Sequence, residues 1–293
     1  MDTVSVIIPT TCEASRRASL MRAIDSVLNQ QGAQVTVIAV VNGNRIDPEC
    51  LQQLQAMARV QVVRQEQGCQ ALAQRTGRAC VVTAFFAFLD DDDEYLPVAL
   101  KLRLAPLLRE PGLDFVASNG LRRQKGVDQA VVTQVQAAER DPLLALASEN
   151  WLASCGGLFR TARIGVDFFD GKTASLEWTL LAYKLASTRS MAFVDQPTFI
   201  INDTAGSLSK SEAYVQAEAG VLAQVLALDL PSAARRAVQE KLGRCLHNIS
   251  ARKSEQGDWA EAWRFHLASL GCLHGWKYLL YSRKLLLPRP RVK

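Results

Sequence analysis

Five consecutive acidic residues, Asp90–Glu94, directly follow the apolar stretch 84–89. Like charges this close together repel one another unless water screens them or a cation lies among them. Asp carboxylates are the hard oxygen ligands that Mg²⁺ and Mn²⁺ prefer, and substrate phosphates commonly complete the coordination. The cluster therefore predicts either a divalent-cation site for a phosphorylated ligand or a solvated acidic turn.

The chain before this cluster alternates between predicted strands and predicted helices. Four apolar runs predict strands buried on both faces, at residues 4–8, 35–41, 60–63 and 84–89. Pro9 is expected to end the first strand. Helical spacing and an Asp47–Pro48 start predict helices between the strands, within residues 15–30, 47–58 and 70–79. This alternation predicts right-handed βαβ units and a mostly parallel sheet.

The polar residues that follow these strands are the candidates for ligand binding. In open α/β sheets, ligands bind beyond the carboxyl ends of the strands. Thr10 follows the first strand, Asn42 follows the second, and the acidic cluster follows the fourth. The sequence has neither a G-x-G-x-x-G turn after the first strand nor a G-x-x-x-x-G-K-[ST] loop. A diphosphate ligand would therefore need another source of positive charge, such as a cation held by the aspartates.

Composition limits the broad class of the protein. The chain has 293 residues, 48% of them hydrophobic and 22% charged, with a net charge of +5, as in ordinary soluble globular proteins. Its seven cysteines are widely spaced and include no C-x-x-C pair, which argues against a disulfide framework or a zinc site. We expect no signal peptide and no membrane-spanning helix, hence a cytoplasmic location.

Six segments in order carry a resemblance to a known family. They are VSVIIPT (4–10), QGCQALAQRTG (67–77), FLDDDDEYLP (88–97), GGLFRTARIGVDFFD (156–170), LEWTLLAYKLA (176–186) and GSLS (206–209). Over roughly residues 3–210 the chain resembles the inverting family-2 glycosyltransferases. The resemblance implies an α/β protein of the GT-A fold, with a Rossmann-like, mostly parallel sheet flanked by helices.

The resemblance also implies an activity and a set of site residues. The activity is transfer of a sugar from a nucleotide-diphosphate sugar to an acceptor hydroxyl, with inversion. FLDDDDEYLP resembles the family's D-x-D motif, in which Asp90 and Asp92 would contact the nucleotide ribose and a divalent metal, Mn²⁺ or Mg²⁺. The expected donor-binding residues are Pro9, Thr10, Glu13, Asn42, Gly68, Arg75, Asp90 and Asp91, and the expected metal ligands are Asp92, Asp93 and Asp203.

The expected catalytic base departs from the family pattern. The family has two acids before a Trp, whereas this chain has Leu176 and Glu177 before Trp178. Glu177 is the predicted base, and the alternative is an acid that only stabilises the first turn of a helix. Asp167, Asp170 and Asp203 are the next candidates.

Other positions leave alternatives open. Val41 and Asn42 replace acids that often contact the nucleobase, so the base stays unassigned. Arg75 suits a diphosphate but also suits a solvent-facing helix position, and Asp203 suits a turn as well as a metal. The missing acids favour a second hypothesis, a catalytically silent GT-A-like binding or assembly module. The retained aspartates favour the enzyme.

The C-terminal third has a different pattern. We predict a catalytic domain at residues 1–215 and a helical region at 216–293. The segment 276–293 interleaves aromatics, leucines and cations, and no Asp or Glu follows Glu261. This predicts peripheral contact with an anionic membrane surface at the inner face of the membrane, the alternative being leucines packed on the catalytic domain. A saccharide or lipid-linked acceptor, and no nucleic acid, is expected as the partner.

Overall fold

The computed structural model describes residues 3–169, 176–203 and 212–286, with the backbone alone for 212–216. The chain divides into two compact units, Met1–Ser207 and Leu208–Lys293. The boundary predicted after residue 215 falls inside the helix Glu212–Leu226. Asp170, the GSLS segment and residues 287–293 lie outside the described residues.

The strands and helices of the described residues follow in chain order. The strands are β1 (Thr3–Thr10), β2 (Gln34–Asn42), β3 (Val60–Gln65), β4 (Phe85–Phe88), β5 (Glu94–Tyr95), β6 (Phe115–Ser118), β7 (Leu121–Gln124), β8 (Val127–Ala130), β9 (Gly157–Arg160), β10 (Met191–Val194) and β11 (Phe199–Asn202). The helices are α1 (Arg17–Leu28), α2 (Pro48–Ala56), α3 (Gln70–Ala79), α4 (Ala99–Arg109), α5 (Val135–Arg140), α6 (Pro142–Ala145), α7 (Glu177–Thr188), α8 (Glu212–Leu226), α9 (Ser232–Glu255), α10 (Trp259–Leu270) and α11 (Tyr281–Leu286).

The first unit contains the predicted mostly parallel sheet. Its seven strands are ordered β10-β6-β9-β4-β1-β2-β3. Strand β1 pairs in parallel with β2 and β4, β2 pairs in parallel with β3, and only β9 runs antiparallel to its neighbours β4 and β6. Strands β1, β2 and β4 are almost entirely buried, as expected for parallel strands covered by helices on both faces. The predicted α/β fold class is therefore confirmed.

A second, four-stranded sheet in the order β5-β11-β7-β8 adjoins the acidic cluster. Strand β5 begins at Glu94 and pairs with β11 through Ile200. Residues 89–93 therefore connect β4 in the large sheet to β5 in the small one. This connection brings the end of β11 beside the acidic residues.

The expectation that Pro9 ends the first strand is wrong, because β1 continues to Thr10. Pro9 pairs with Val40 of β2 in the parallel register. On the other side, the pairing of β1 with β4 stops at Ile7 and Phe88. The Ile7 carbonyl faces β4 and accepts a hydrogen bond from the Leu89 N–H. Residues two apart in a strand direct their backbone groups to the same side, so the backbone nitrogen of Pro9 also faces β4. Pro9 has no N–H to donate on that side, so the β1–β4 ladder ends there while the pairing of β1 with β2 continues to Thr10.

Helix α3 packs closely on the centre of the sheet through Gly77. A methyl group at Gly77 would overlap Ile7 Cγ2 and lie 3.1 Å from Val40 Cγ2. Only glycine leaves room for this approach of helix and sheet. The close packing fixes the position of α3, whose first two turns face the acidic cluster.

The second unit is helical. Asp258 accepts from the N–H of Glu261 at 3.3 Å and caps the N-terminus of α10. Ser250 of α9 donates to the carbonyl of Ala262 in α10 at 2.7 Å. Among the residues the structure describes, no helix has both the length and the apolar character needed to cross a membrane.

Candidate active site

The four aspartates of the cluster are contacted from different sides, and Arg16 contacts two of them. Asp91 is buried and accepts from Thr10 Oγ1 at 2.6 Å and from Arg16 Nη2 at 2.6 Å. Arg16 also donates through Nη1 to Asp92 Oδ2 at 3.1 Å. Thr10 Oγ1 in turn accepts from the N–H of Cys12 at 3.0 Å. The end of β1 therefore holds Asp91 in a fixed position.

Asp90 lies on the opposite side of the cluster. It accepts from Ser154 Oγ at 2.6 Å and from Gln70 Nε2 of α3 at 3.2 Å. Burial, assisted by the negative charges of Asp92 and Glu177, raises the pKa of Asp90 to about 7. The charge of Glu177 contributes to this rise in pKa, so the predicted base lies within electrostatic reach of Asp90.

Asp93 faces inward, toward the second sheet. Its Oδ1 accepts from the N–H of Asn202 at 3.0 Å, and its Oδ2 is 3.7 Å from Cys155 Sγ. Burial, followed by the charges of Asp90 and Asp92, raises the pKa of Asp93 to about 8. Asn202 Nδ2 also donates to the carbonyl of Asp92 at 2.8 Å, so the end of β11 holds the loop in place.

Glu177 is the first residue of α7 and faces α3. Its Oε1 accepts from Gln74 Nε2 at 3.4 Å, and burial raises its pKa. Trp178 packs edge-on against Phe88 of β4, with ring centroids 5.2 Å apart, which ties the start of α7 to the strand before the cluster. Leu176, the residue before Glu177, has a backbone φ of 61°, in the left-handed region. A left-handed conformation costs a leucine about 1–2 kcal/mol, and such strain is concentrated at functional sites.

Several predicted donor-binding residues do lie together at this edge of the sheet. Asn42 is buried, and its Nδ2 donates to the carbonyl of Thr10 at 3.0 Å, which joins the ends of β2 and β1. Gly68 lies against Gly43. A methyl group added to Gly43 would be 3.6 Å from the Cα of Gly68. Pro9 is inside β1, one residue before Thr10.

Three other predicted residues lie on a helix, at a strand end and before a turn. Arg75 is exposed on α3, whereas its neighbour Gln74 is buried. Asp203 is exposed at the end of β11, and its N–H bonds the carbonyl of Arg123 at 3.1 Å. Glu13 precedes the 3-10 turn Ala14–Arg16, and its carbonyl accepts from the N–H of Arg16.

The carboxylates of the acidic cluster fit a divalent cation only if substrate atoms complete the coordination. Among residues 3–169, 176–203 and 212–286, no group of three or more His, Cys, Asp or Glu side chains is arranged to hold a metal ion. Asp91 and Asp93 are buried and each accepts two contacts, whereas the Asp92 side chain pairs with Arg16 and is 17% exposed at the rim. Magnesium-type sites commonly use one or two carboxylates plus phosphate oxygens. Asp92 therefore fits as a ligand, and Asp93 fits less well.

Sequence reasoning missed most of the residues that hold the acidic groups in place. Gln70 and Gln74 could have been found from their spacing, because residues four apart lie on one face of a helix. Asn202 stands at a strand end, but β11 is too short to be recognised by alternation. Arg16 and Ser154 come from turns, and no sequence pattern marks them as neighbours of the cluster.

Comparisons with known proteins agree with this architecture. The sequence profile described as "Glycosyl transferase family 2" matches residues 5–159, more than half of the chain. No curated protein matches the sequence. Crystal structures of S. aureus TarS are similar, including the three described next, at identities that show the fold alone.

Two of these structures contain residues 1–349 of TarS. The complex with UDP-GlcNAc has a TM-score of 0.62 and 18% identity, covering 91% of this chain and 81% of that one. The complex with UDP has a TM-score of 0.60 and 15% identity, covering 92% and 81%. A longer TarS structure has a TM-score of 0.57 and 18% identity, covering 84% of this chain and 43% of that one. The fold is thus the GT-A fold, and the chain belongs to glycosyltransferase family 2.

Proposed function

We propose that the protein is an inverting glycosyltransferase that moves a sugar from a nucleotide-diphosphate sugar to an acceptor hydroxyl. One observation carries the proposal: α3 contacts both acidic groups that the reaction needs. Gln70 binds Asp90, and Gln74, one turn later, binds Glu177. These contacts support a donor-binding role for Asp90 and a base role for Glu177 at the sheet edge, where α/β enzymes bind ligands.

In this proposal Glu177 is the general base. Its carboxylate removes the proton of the acceptor hydroxyl as that oxygen attacks the anomeric carbon. The nucleoside diphosphate leaves from the opposite face, which inverts the configuration. Gln74 orients the carboxylate, and burial raises the pKa of Glu177 from its ordinary value, which makes it a stronger base.

Asp90, Asp91 and Asp92 form the donor side of the proposed site. Asp92, with Asp203 as a further candidate from the end of β11, would hold Mn²⁺ or Mg²⁺ together with phosphate oxygens. A divalent cation bound there would neutralise the negative charge that builds on the departing diphosphate. The structure of TarS with UDP-GlcNAc makes UDP-linked sugars the first donors to test.

The acceptor and the location are a further part of the proposal. Trp276, Leu279, Leu280 and Leu286 are 71%, 55%, 72% and 71% exposed. Lys277, Arg283 and Lys284 are exposed among them, and we call these seven residues the C-terminal patch. Basic segments with exposed aromatics and leucines bind the surface of anionic membranes. This supports a cytoplasmic enzyme that works on polysaccharide or glycolipid precursors at the inner membrane face.

Thermal shift with a donor panel tests the central proposal. Ligands that bind only the folded state raise the melting temperature. We expect a UDP-sugar to raise it in the presence of MnCl₂, and the same donor to be hydrolysed slowly or transferred to an added acceptor. If no UDP-, GDP-, CDP- or dTDP-sugar raises the melting temperature or is consumed, the silent binding module becomes the better hypothesis.

A further inference from the structure

Arg16 is a cation fixed inside the acidic cluster. The 3-10 turn Ala14–Arg16 ends where α1 begins, and the guanidinium reaches both Asp91 and Asp92 at 2.6 and 3.1 Å. A positive charge at a helix N-terminus is unfavourable, because that end of the helix carries partial positive charge. Arg16 therefore owes its position to the aspartates rather than to the helix.

The two ion pairs of Arg16 differ in how far they are exposed to solvent. The Asp91 side chain is 5% exposed and is also held by Thr10, so it anchors one side of the guanidinium. The Asp92 side chain is 17% exposed and the Arg16 side chain 38%, so the other side of the guanidinium lies at the rim. Guanidinium has five N–H donors in a planar fork. Arg16 can therefore keep its bond to Asp91 while other N–H groups take the oxygens of an incoming ligand.

The neighbouring residue shows that this arrangement is specific to Arg16. Arg17 follows directly in the sequence but pairs with Asp47 and Glu49. No acidic residue lies in the first turn of α1, so both arginines take their partners from other parts of the chain. Of the two, only Arg16 contacts the aspartates of the D-x-D motif.

We propose that Arg16 is a donor-binding residue that contacts the diphosphate directly and shares Asp92 with the divalent cation. Arginine binds phosphate oxygens through paired, charge-assisted hydrogen bonds. The protein would then have a component of nucleoside diphosphate binding that needs no metal. Because Arg16 and a divalent cation both bind the Asp92 carboxylate, each lowers the affinity of that carboxylate for the other. The inference rests on the proposed function, since it takes a nucleotide-diphosphate sugar as the substrate.

The first test measures UDP binding by calorimetry in EDTA, and again in MnCl₂, with GDP and CDP in parallel. We expect the wild-type protein to bind UDP weakly in EDTA, and Arg16→Gln to weaken that binding at least about tenfold. Arg22→Gln is the matched control, because Arg22 is also on α1 and pairs with Glu94 at 3.9 Å, outside the two contacts of Arg16. It should bind UDP like the wild type.

The second test measures Mn²⁺ binding without nucleotide, by electron paramagnetic resonance. Arg16→Gln should bind Mn²⁺ several-fold more tightly than the wild type, because the competing cation is gone. Arg16→Lys keeps the charge without the planar fork, so it should restore part of the UDP binding in EDTA. Circular dichroism establishes that each variant is folded.

The outcomes separate this proposal from the proposed function. UDP binding that occurs only with MnCl₂, or that Arg16→Gln leaves unchanged in EDTA, overturns the role of Arg16 and leaves the glycosyltransferase intact. A folded Arg16→Lys that restores nothing, with unchanged Mn²⁺ affinity in Arg16→Gln, reduces Arg16 to a structural partner of Asp91. Failure of UDP, GDP and CDP to bind under any condition overturns both proposals.

Discussion

Asp90 and Glu177 are held by one face of the same helix. Gln70 Nε2 lies 3.2 Å from Asp90 Oδ1, and Gln74 Nε2 lies 3.4 Å from Glu177 Oε1. Because α3 is packed tightly on β1 and β2, both carboxylates are contacted by one firmly placed helix. Residues on rigid elements hold a reactive geometry better than residues on loops.

The first prediction concerns the proposed base. Glu177→Gln keeps the size of the side chain and removes its basicity, so sugar transfer should fall about 10²–10⁴-fold. UDP-sugar binding should change little, because the contacts of Asp90 and Asp91 are untouched. Turnover and donor affinity are measured separately, with Glu110→Gln as an exposed control.

The alternative role of Glu177, stabilising the first turn of α7, predicts a different result. In that case Glu177→Gln would lower the melting temperature slightly and leave turnover near that of the wild type. Such a result would move the search for the base to Asp167, Asp170 and Asp203.

The second prediction concerns Asp92. Asp92→Asn removes a charged ligand from the proposed cation site, so the enhancement of UDP-sugar binding by MnCl₂ should drop about 10–100-fold. Asp128→Asn is the control, since Asp128 is paired with Arg123 at the rim of the small sheet. If Asp92→Asn binds donor with the same affinity and the same manganese dependence as the wild type, the metal assignment is wrong.

The third prediction concerns the packing of α3. Gly77→Ala would force a methyl group into Ile7 and should lower the free energy of unfolding by about 1–3 kcal/mol. Gly112→Ala is the matched control, because a methyl group there has nothing within 4 Å. Denaturant unfolding of both variants measures the difference. Equal stability would mean that α3 shifts freely and that the α3 contacts do not fix the distance between Asp90 and Glu177.

The fourth prediction follows from the raised pKa of Asp93. Burial and the neighbouring negative charges raise the pKa of Asp93 from its ordinary value of 3.8 to about 8 in the folded protein. Between these values the folded state binds more protons than the unfolded state, so stability falls as the pH rises through that window. Asp93→Asn cannot titrate, so its melting temperature should decline less between pH 5 and pH 9.

The control for this effect has a pKa shifted in the opposite direction. The hydrogen bonds from Arg123 lower the pKa of Asp128, so Asp128 is ionised in both the folded and the unfolded state between pH 5 and pH 9. Asp128→Asn should therefore leave the slope of melting temperature against pH as it is in the wild type. The idea fails if Asp93→Asn and the wild type show parallel profiles in metal-free buffer.

The sequence predicted the central sheet well and the surroundings of the acids poorly, for a physical reason. Strands β1, β2 and β4 are buried on both faces and appear as continuous apolar runs, so their carboxyl ends could be located. The second sheet consists of short strands, and β5 has only two residues, Glu94–Tyr95. Such strands carry no periodic signal, so the contacts of Asn202 with the acidic loop could not be foreseen.

The partners of individual aspartates were equally hidden. Adjacent residues in an irregular loop point in directions that depend on the folded backbone. Asp91, expected in the variable place of the D-x-D motif, is one of the most firmly held residues, because Thr10 and Arg16 both bond it. Resemblance to a family assigned roles by position, and the structure adds which side chains hold each carboxylate.

The last prediction concerns the C-terminal patch. Leu285 is buried, but Leu279, Leu280 and Leu286 are exposed together with Trp276. Exposed leucines and a tryptophan among cations can enter the interface of a bilayer, and each cation near anionic lipid adds about 1 kcal/mol. Vesicles containing phosphatidylglycerol should therefore pellet the protein, and binding should weaken as salt rises. Vesicles of phosphatidylcholine alone should not.

Variants distinguish this patch from any exposed leucine. Trp276→Ser with Leu280→Ser should reduce co-sedimentation strongly, and Lys277→Gln with Lys284→Gln should reduce it mainly at low salt. Leu267→Ser is the matched control, because Leu267 is 59% exposed on α10, outside the patch. All these side chains are exposed, so the variants should stay folded. Equal pelleting with both kinds of vesicle, or none with either, would refute membrane attachment, and so would a loss of binding in Leu267→Ser as large as in the patch variants.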